Sequence, residues 1–210
     1  MKAIRSEISE NSLKTLNQKF KVILADPPWS YQNSAKGSAS GQYSTMSTLD
    51  ICKLPISEVA EDNSVLFLWA TFPLLPDALE VMKSWGFQYK TGLSWIKKTR
   101  NNKNQFGTGF ILRSCSELLL IGFKGKPKVQ NKKTRNIIEA VATGHSIKPD
   151  CQYQMIEKLF EGPYLELFAR RPWKNWVGIG NQIFQGQEAF KDYETTGLFD
   201  IGIKNGTKIP

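Results

Sequence analysis

The residues best equipped for chemistry stand together at Asp26-Pro27-Pro28-Trp29. A carboxylate only accepts hydrogen bonds. A proline has no N–H, so the backbone carbonyls before and at Pro27 are expected to point outward without a ladder partner. Trp29 adds a flat face. Two acceptors and a stacking surface, held by two ring-locked φ angles, suit an aromatic amine. The exocyclic NH2 of adenine carries two protons and can donate to Asp26 and to the Pro27 carbonyl together. Its lone pair is ordinarily spread into the ring, and two acceptors pulling on its protons favour a pyramidal nitrogen with that pair available. Stacking on Trp29 is worth about 1–3 kcal/mol. A methyl group can then be taken in line from a sulfonium donor, with no covalent enzyme intermediate, and effective molarity can supply roughly 7–11 kcal/mol of the barrier. Taken alone, D-P-P-W is also a plain rigid turn; its place at the end of a buried strand points to a site.

Other chemistries lack their parts. There is no G-x-x-x-x-G-K-[ST] loop for phosphates. Gly107-Thr108-Gly109 and Gly178-Ile179-Gly180 begin like dinucleotide loops but have no third glycine. Gly37 to Gly41 carries Ala39 where a nucleophilic serine would stand. His145, the single histidine, reads as a polar loop residue rather than a base. Cys52, Cys115 and Cys151 are far apart and form no C-x-x-C, so neither a disulfide framework nor a metal site is expected. None of the three follows a proline, as the attacking cysteine of a cytosine C5 methylase does.

The elements around the motif follow from hydrophobic pattern. Lys21 to Ala25 is a short, partly β-branched apolar run stopped by prolines, which reads as a buried strand. Ser64–Thr71, Thr91–Ile96, Glu117–Phe123, Tyr164–Ala169 and Trp176–Ile179 read as further strands. Pro76-Asp77 opens a helix that Gly86 closes, and Asp150 is placed to cap a second. Ser30 to Ser47 reads as a mobile loop and the first eighteen residues as an arm or exposed helix. Alternating strands and helices imply an α/β fold with a mostly parallel central sheet and helices on both faces. Ligands of such sheets bind beyond the carboxyl ends of the strands. That directs attention to Asp26–Trp29, Thr71, Lys124, Arg170, Arg171, Asn181 and Gln182.

The chain has 210 residues, room for one domain with trimmings. No apolar run approaches the roughly 18 residues of a membrane helix, and the charged N-terminus reads as no secretion signal, so a cytoplasmic protein is expected. Lys and Arg number 28 against 19 Asp and Glu, a net charge of +9 that leans toward a polyanionic partner. The cations gather in two clusters: Lys97, Lys98, Arg100 and Lys103, then Lys124, Lys126, Lys128, Lys132, Lys133 and Arg135. Each follows a strand, so each is expected to border the crevice and meet phosphates, the plain alternative being a solvated face.

Eight segments carry a family resemblance, in this order. They are Ala25-Asp26-Pro27-Pro28-Trp29, Gln42-Tyr43-Ser44-Thr45-Met46-Ser47, Leu66-Phe67-Leu68-Trp69-Ala70-Thr71 and Ser94-Trp95-Ile96-Lys97. Glu117 to Gly125, His145 with Lys148-Pro149-Asp150, Glu166-Leu167-Phe168-Ala169-Arg170 and Gly180-Asn181-Gln182 follow. The stretch from Lys19 to Gln182 thereby resembles the D-P-P-W N6-adenine methyltransferases related to the catalytic subunit of the mRNA adenosine methylase, in a compact form similar to bacterial or phage members.

The resemblance implies a Rossmann-like fold with S-adenosylmethionine as donor. It assigns Asp26, Pro27, Pro28 and Trp29 to the target base and reaction centre, with Asp26 also meeting the donor's amino group. It assigns Lys148 to the donor's carboxylate, Arg170 to the cofactor pocket, and Asn181 with Gln182 to the ribose hydroxyls. Tyr43 and Trp69 fall where the family lines the substrate pocket. The domain is expected over 19–183, between an arm (1–18) and a tail or appended element (184–210). After Arg170 the chain departs from the family: Arg171-Pro172-Trp173-Lys174-Asn175 replaces a His-Asn pair, leaving Arg171 or Asn175 as substitutes. The expected partner is nucleic acid. DNA is favoured by the compact form; an RNA adenosine methylase or a catalytically silent nucleic-acid-binding subunit are the alternatives. The intact D-P-P-W, Lys148 and Asn181 argue for activity.

Overall fold

The computed structural model describes residues 2–30, 45–109, 111–144, 147–181 and 183. In chain order the elements are β1 (Lys2–Arg5), α1 (Glu10–Lys14), β2 (Phe20–Ala25), α2 (Thr48–Cys52), α3 (Ile56–Val59), β3 (Ala60–Ala70), α4 (Leu75–Ser84), β4 (Gln88–Lys98), β5 (Ser116–Lys124), β6 (Ile137–Val141), α5 (Cys151–Leu159), β7 (Tyr164–Leu167) and β8 (Trp176–Gly180). The strands form one sheet in the order β1-β8-β7-β2-β3-β5-β4-β6. All neighbours are parallel except β5, which runs antiparallel to both β3 and β4. The α/β sheet expected from the sequence is present.

Strand alternation sends side chains to two cores. Ile23 and Ala25 of β2 and Leu66, Leu68 and Ala70 of β3 pack against α1 to α4, through Leu13, Ile51, Ile56, Ala78, Val81 and Met82. Val22, Leu24, Val65, Phe67 and Trp69 point the other way, onto Tyr153 and Ile156 of α5. Central strands buried on both faces read as continuous apolar runs, which is why β2 and β3 are visible in the sequence. Gly86 closes α4 with φ +83, a backbone conformation that side chains rarely adopt.

Several expectations change. The first eighteen residues are not a simple arm or exposed helix. Lys2–Arg5 pairs in parallel with Val177–Gly180 and adds an edge strand, and Leu13 and Leu16 are buried. Asp150 precedes α5 but its side chain makes no cap hydrogen bond; its carboxylate is paired with Arg171. The loop expected over Ser30–Ser47 and the tail over 184–210 fall mostly or wholly outside the described residues, as do Tyr43, His145 and Gln182. Among the described residues no helix is long and apolar enough to cross a membrane.

Candidate active site

From β2 the chain goes on to β3 on one side, and it returns to β7 on the other. The strand order thus switches direction between β2 and β7, and the crevice beyond their carboxyl ends is where doubly wound sheets hold ligands. Asp26 to Trp29 leave β2 directly into it. Phe168 leaves β7 with φ 61, uncommon for an aromatic residue, and turns the chain so that the Ala169 N–H meets the Ile179 carbonyl at 3.0 Å.

The D-P-P-W turn is held from three sides. The Trp29 N–H donates to the Pro27 carbonyl at 2.9 Å, and the Met46 N–H donates to the Pro28 carbonyl at 2.8 Å. Nε1 of Trp29 donates to the Trp69 carbonyl at 3.0 Å, which fixes the plane of its half-buried ring. The Pro27 carbonyl is therefore not the unpartnered acceptor expected from the sequence. A tight turn brings the N–H two residues on back to it, leaving one of its two lone pairs to offer elsewhere.

Behind the turn lies a chain of alternating charges. Nζ of Lys148 lies 2.8 Å from both carboxylate oxygens of Asp26 and 3.3 Å from Oε2 of Glu117. Lys97 pairs with the other oxygen of Glu117. Burial opposes charge on Lys148, but Asp26 and Glu117 outweigh it and raise its pKa above the ordinary lysine value. Burial likewise pushes Glu117 up, but the ammonium groups of Lys148 and Lys97 outweigh it and hold its carboxyl below the usual value. Lys148 also lies over the Trp69 ring, 5.5 Å from its centroid.

Glu166, opposite Leu24 in the sheet, behaves differently. Part of its side chain is reachable by water, yet its surroundings are crowded. Desolvation, helped by the charge of Asp26, pushes its carboxyl up to about 8 against the opposing hydrogen bond from Tyr153. Tyr153 donates to its oxygens at 2.9 and 3.0 Å and stacks on Trp173 at 4.3 Å.

Not every expected residue joins this centre. Trp69 is 1 % exposed; its Nε1 donates to Gln152 at 2.7 Å and it meets Trp95 edge-on, so it supports the site from the core rather than lining an open pocket. Lys97 and Lys98 sit at the correct end of β4 but are paired with Glu117 and Glu139. The antiparallel course of β5 carries Lys124 to the amino ends of the other strands. Lys126 and Lys128 border a cleft there with Lys21, Glu61 and Glu161, and Gln130 binds the last carbonyl of α5. Lys132 and Lys133 follow on that side, away from Asp26. Arg170 follows β7, and Asn181 is exposed just after β8.

The same reversal brings Glu117, at the start of β5, to the crevice, a place that the apolar run it opens does not announce. Its signal was available. No helical period lies between Thr91–Ile96 and Glu117–Phe123, and strands joined without a crossover helix run antiparallel.

An acid-proline turn and a buried lysine meet where the strand order reverses, the place at which α/β sheets of this build hold their ligands. The sequence model of the MT-A70 family matches residues 20–182, and the chain belongs to this family of N6-adenine methyltransferases. It is similar to the "Type II methyltransferase M.MunI" of Mycoplasma sp, with 29% identity over 189 residues, 79% of this chain and 78% of that protein. It is also similar to the Homo sapiens "N(6)-adenosine-methyltransferase catalytic subunit METTL3", with 32% identity over 171 residues, 79% of this chain but 28% of that protein. The "Putative N(6)-adenosine-methyltransferase MT-A70-like" of Medicago truncatula is 30% identical over 170 residues, 79% of this chain and 26% of that protein. The chain thus spans only about a quarter of the two adenosine relatives.

Proposed function

We propose that the chain transfers a methyl group from S-adenosylmethionine to the exocyclic N6 of adenine in DNA, directly and without a covalent intermediate. The observation that carries this reading is the pairing of Asp26 with Lys148 at the switch point. The donor's amino-acid end is a zwitterion, and a buried ammonium between two carboxylates has the partners such a zwitterion needs. The residues present fit the group. Lys148 would hold its carboxylate, Asn181 and Gln182 its ribose, with Arg170 beside them. When bound, the donor supplies an activated methyl carbon.

The rest falls to the chain's own residues. Asp26 and the remaining lone pair of the Pro27 carbonyl would accept hydrogen bonds from the two amine N–H groups and turn the nitrogen's electron pair outward; as the N–C bond forms and the S–C bond breaks, the one proton the nitrogen sheds would pass to the Asp26 carboxylate or to solvent. Trp29, locked by its bond to the Trp69 carbonyl, holds the base by its face. Pro28, with its carbonyl tied to Met46, keeps the turn rigid.

DNA is favoured by similarity to a type II methyltransferase of comparable length. Similarity to the adenosine methyltransferases supports RNA as the second reading. Incubation with methyl-labelled S-adenosylmethionine and either polymer, followed by digestion to nucleosides, separates the two. Label in N6-methyldeoxyadenosine is expected. Label in RNA alone transfers the reading to RNA. Donor binding without label in either polymer leaves a silent subunit.

A further inference from the structure

The chain between Lys97 and Glu117 forms a built excursion at the same end of the sheet as Asp26. Asn104 bridges Lys98 in antiparallel fashion, and the Gln105 N–H donates to the Lys97 carbonyl at 2.8 Å. The Gly107 N–H donates to the Ser114 carbonyl at 3.0 Å. A Cβ on Gly107 would come within 2.3 Å of the Ser114 oxygen, and one on Gly109 within 2.0 Å of the Leu112 oxygen. Glycine is what lets these backbones close.

What this excursion presents is unusual. Phe106 is 78% exposed, Leu112 80% and Ile111 95%. A single exposed apolar residue is ordinary, but three on one short projection form a patch that needs a partner. Every charge between Lys97 and Glu117 is positive: Lys98, Arg100, Lys103 and Arg113. Arg113 lies over the Phe106 ring, 5.3 Å from its centroid. Two copies meeting here would bring eight cations together, which disfavours self-association. Apolar tips rimmed by cations suit a partner with a polyanionic surface and a stacked apolar interior, which is a nucleic-acid duplex.

We propose that Phe106, Ile111 and Leu112 form a wedge that enters the duplex beside the target adenine and fills the space the base leaves. The proposal rests on the reading that adenine in nucleic acid is the acceptor. Within a duplex the N6 amine is paired, and the base must leave the stack to reach Asp26. A wedge beside the gap offsets the lost stacking. The excursion is rooted at Lys97 and Glu117, whose pairing continues through Lys148 to Asp26, so the wedge and the reaction centre share one frame.

The test uses the full chain and one oligonucleotide that it binds, its target adenine located by methylation or, where none occurs, by placing 2-aminopurine at each adenine in turn, presented single-stranded, as a duplex, and as a duplex with an abasic site opposite the target. For Ile111→Ser with Leu112→Ser, and separately for Phe106→Ser, the duplex to single-strand ratio of kcat/KM should fall at least about tenfold. The abasic duplex should restore it. The fluorescence of 2-aminopurine at the target should rise on binding wild type and stay low with the variants. Equal losses on both strand forms, an unchanged ratio, or a wild-type oligomer dissolved by the substitutions would overturn the wedge. A 2-aminopurine response that depends on the wedge, without methyl transfer by wild type, would uphold the wedge and discard the methyltransferase reading.

Discussion

Lys148 holds both carboxylate oxygens of Asp26 at 2.8 Å, so the residue offered to the acceptor amine and the residue offered to the donor's carboxylate are joined to each other. Under the proposed methyl transfer, Lys148 would be the residue to hold the donor's carboxylate and Asp26 the residue to face the amine, so their pairing would have to loosen when the donor binds. Glu117 stays behind, so the lysine is never left without a counter-charge.

Lys148→Met should destabilise the fold, because it leaves Asp26 without its cation beside a Glu117 that keeps only Lys97. Removal of one partner from a buried pair costs about 3–5 kcal/mol. Urea unfolding should show a loss of that order, and Glu117→Gln added to Lys148→Met should recover part of it. Calorimetry should show S-adenosylmethionine binding weakened more than nucleic-acid binding. The reverse order would remove Lys148 from the donor site.

Glu166 should give the protein a pH-dependent stability of known sign. Its folded value of about 8 lies above the ordinary 4.5, so the folded chain keeps a proton that the unfolded chain releases between those values. The stability it contributes is complete below 4.5 and is lost as pH rises through about 8. Across that window Glu166→Gln should flatten the fall in unfolding free energy. A slope identical to wild type would mean that Glu166 is ionised throughout.

The two basic clusters should separate by salt dependence. Arg100 and Lys103 are exposed just beyond the carboxyl end of β4, whereas the exposed Lys132 and Lys133 follow Gln130, whose N–H binds the last carbonyl of α5. Each phosphate contact contributes about 0.9 to the slope of log K against log salt. Arg100→Gln with Lys103→Gln should lower the slope by up to about two such contributions. Lys132→Gln with Lys133→Gln should leave it unchanged in a titration of binding against salt. A reduction by the latter pair would put the polymer across the far end of the sheet.

Legibility of the fold followed burial. β2 and β3 were visible because both faces are covered, and the motif at the end of β2 was visible because prolines stop the run at Asp26. The edge strands escaped notice for the opposite reason. Lys2–Arg5 carries charge at both ends, and Ile137–Val141 alternates exposed and buried residues over only five positions. An apolar run such as Glu117–Phe123 has no polarity of its own, and only the missing crossover helix before it marks β5 as antiparallel. That reversal brings Glu117 beside Lys148 and sends the chain that leads to Lys132 and Lys133 toward the other end of the sheet. Trp69 ends β3, where an aromatic reads alike whether it lines a pocket or packs in the core; its ring is buried among the residues that face α5, with Lys148 over it. The turn that occupies the Pro27 carbonyl was not legible, since proline types its own φ but not which N–H folds back on it.

The central claim is that the Asp26 carboxylate accepts a hydrogen bond from the reacting amine. Single-turnover methyl transfer by Asp26→Asn at saturating donor tests it most directly, with the fold checked by circular dichroism. The amide keeps the shape but gives up the charge and half of the accepting capacity. The expected result is a rate lower by about 10²–10³-fold, the scale of removing one positioned polar group from a reaction centre. Near-normal turnover on a saturated, folded variant would contradict it.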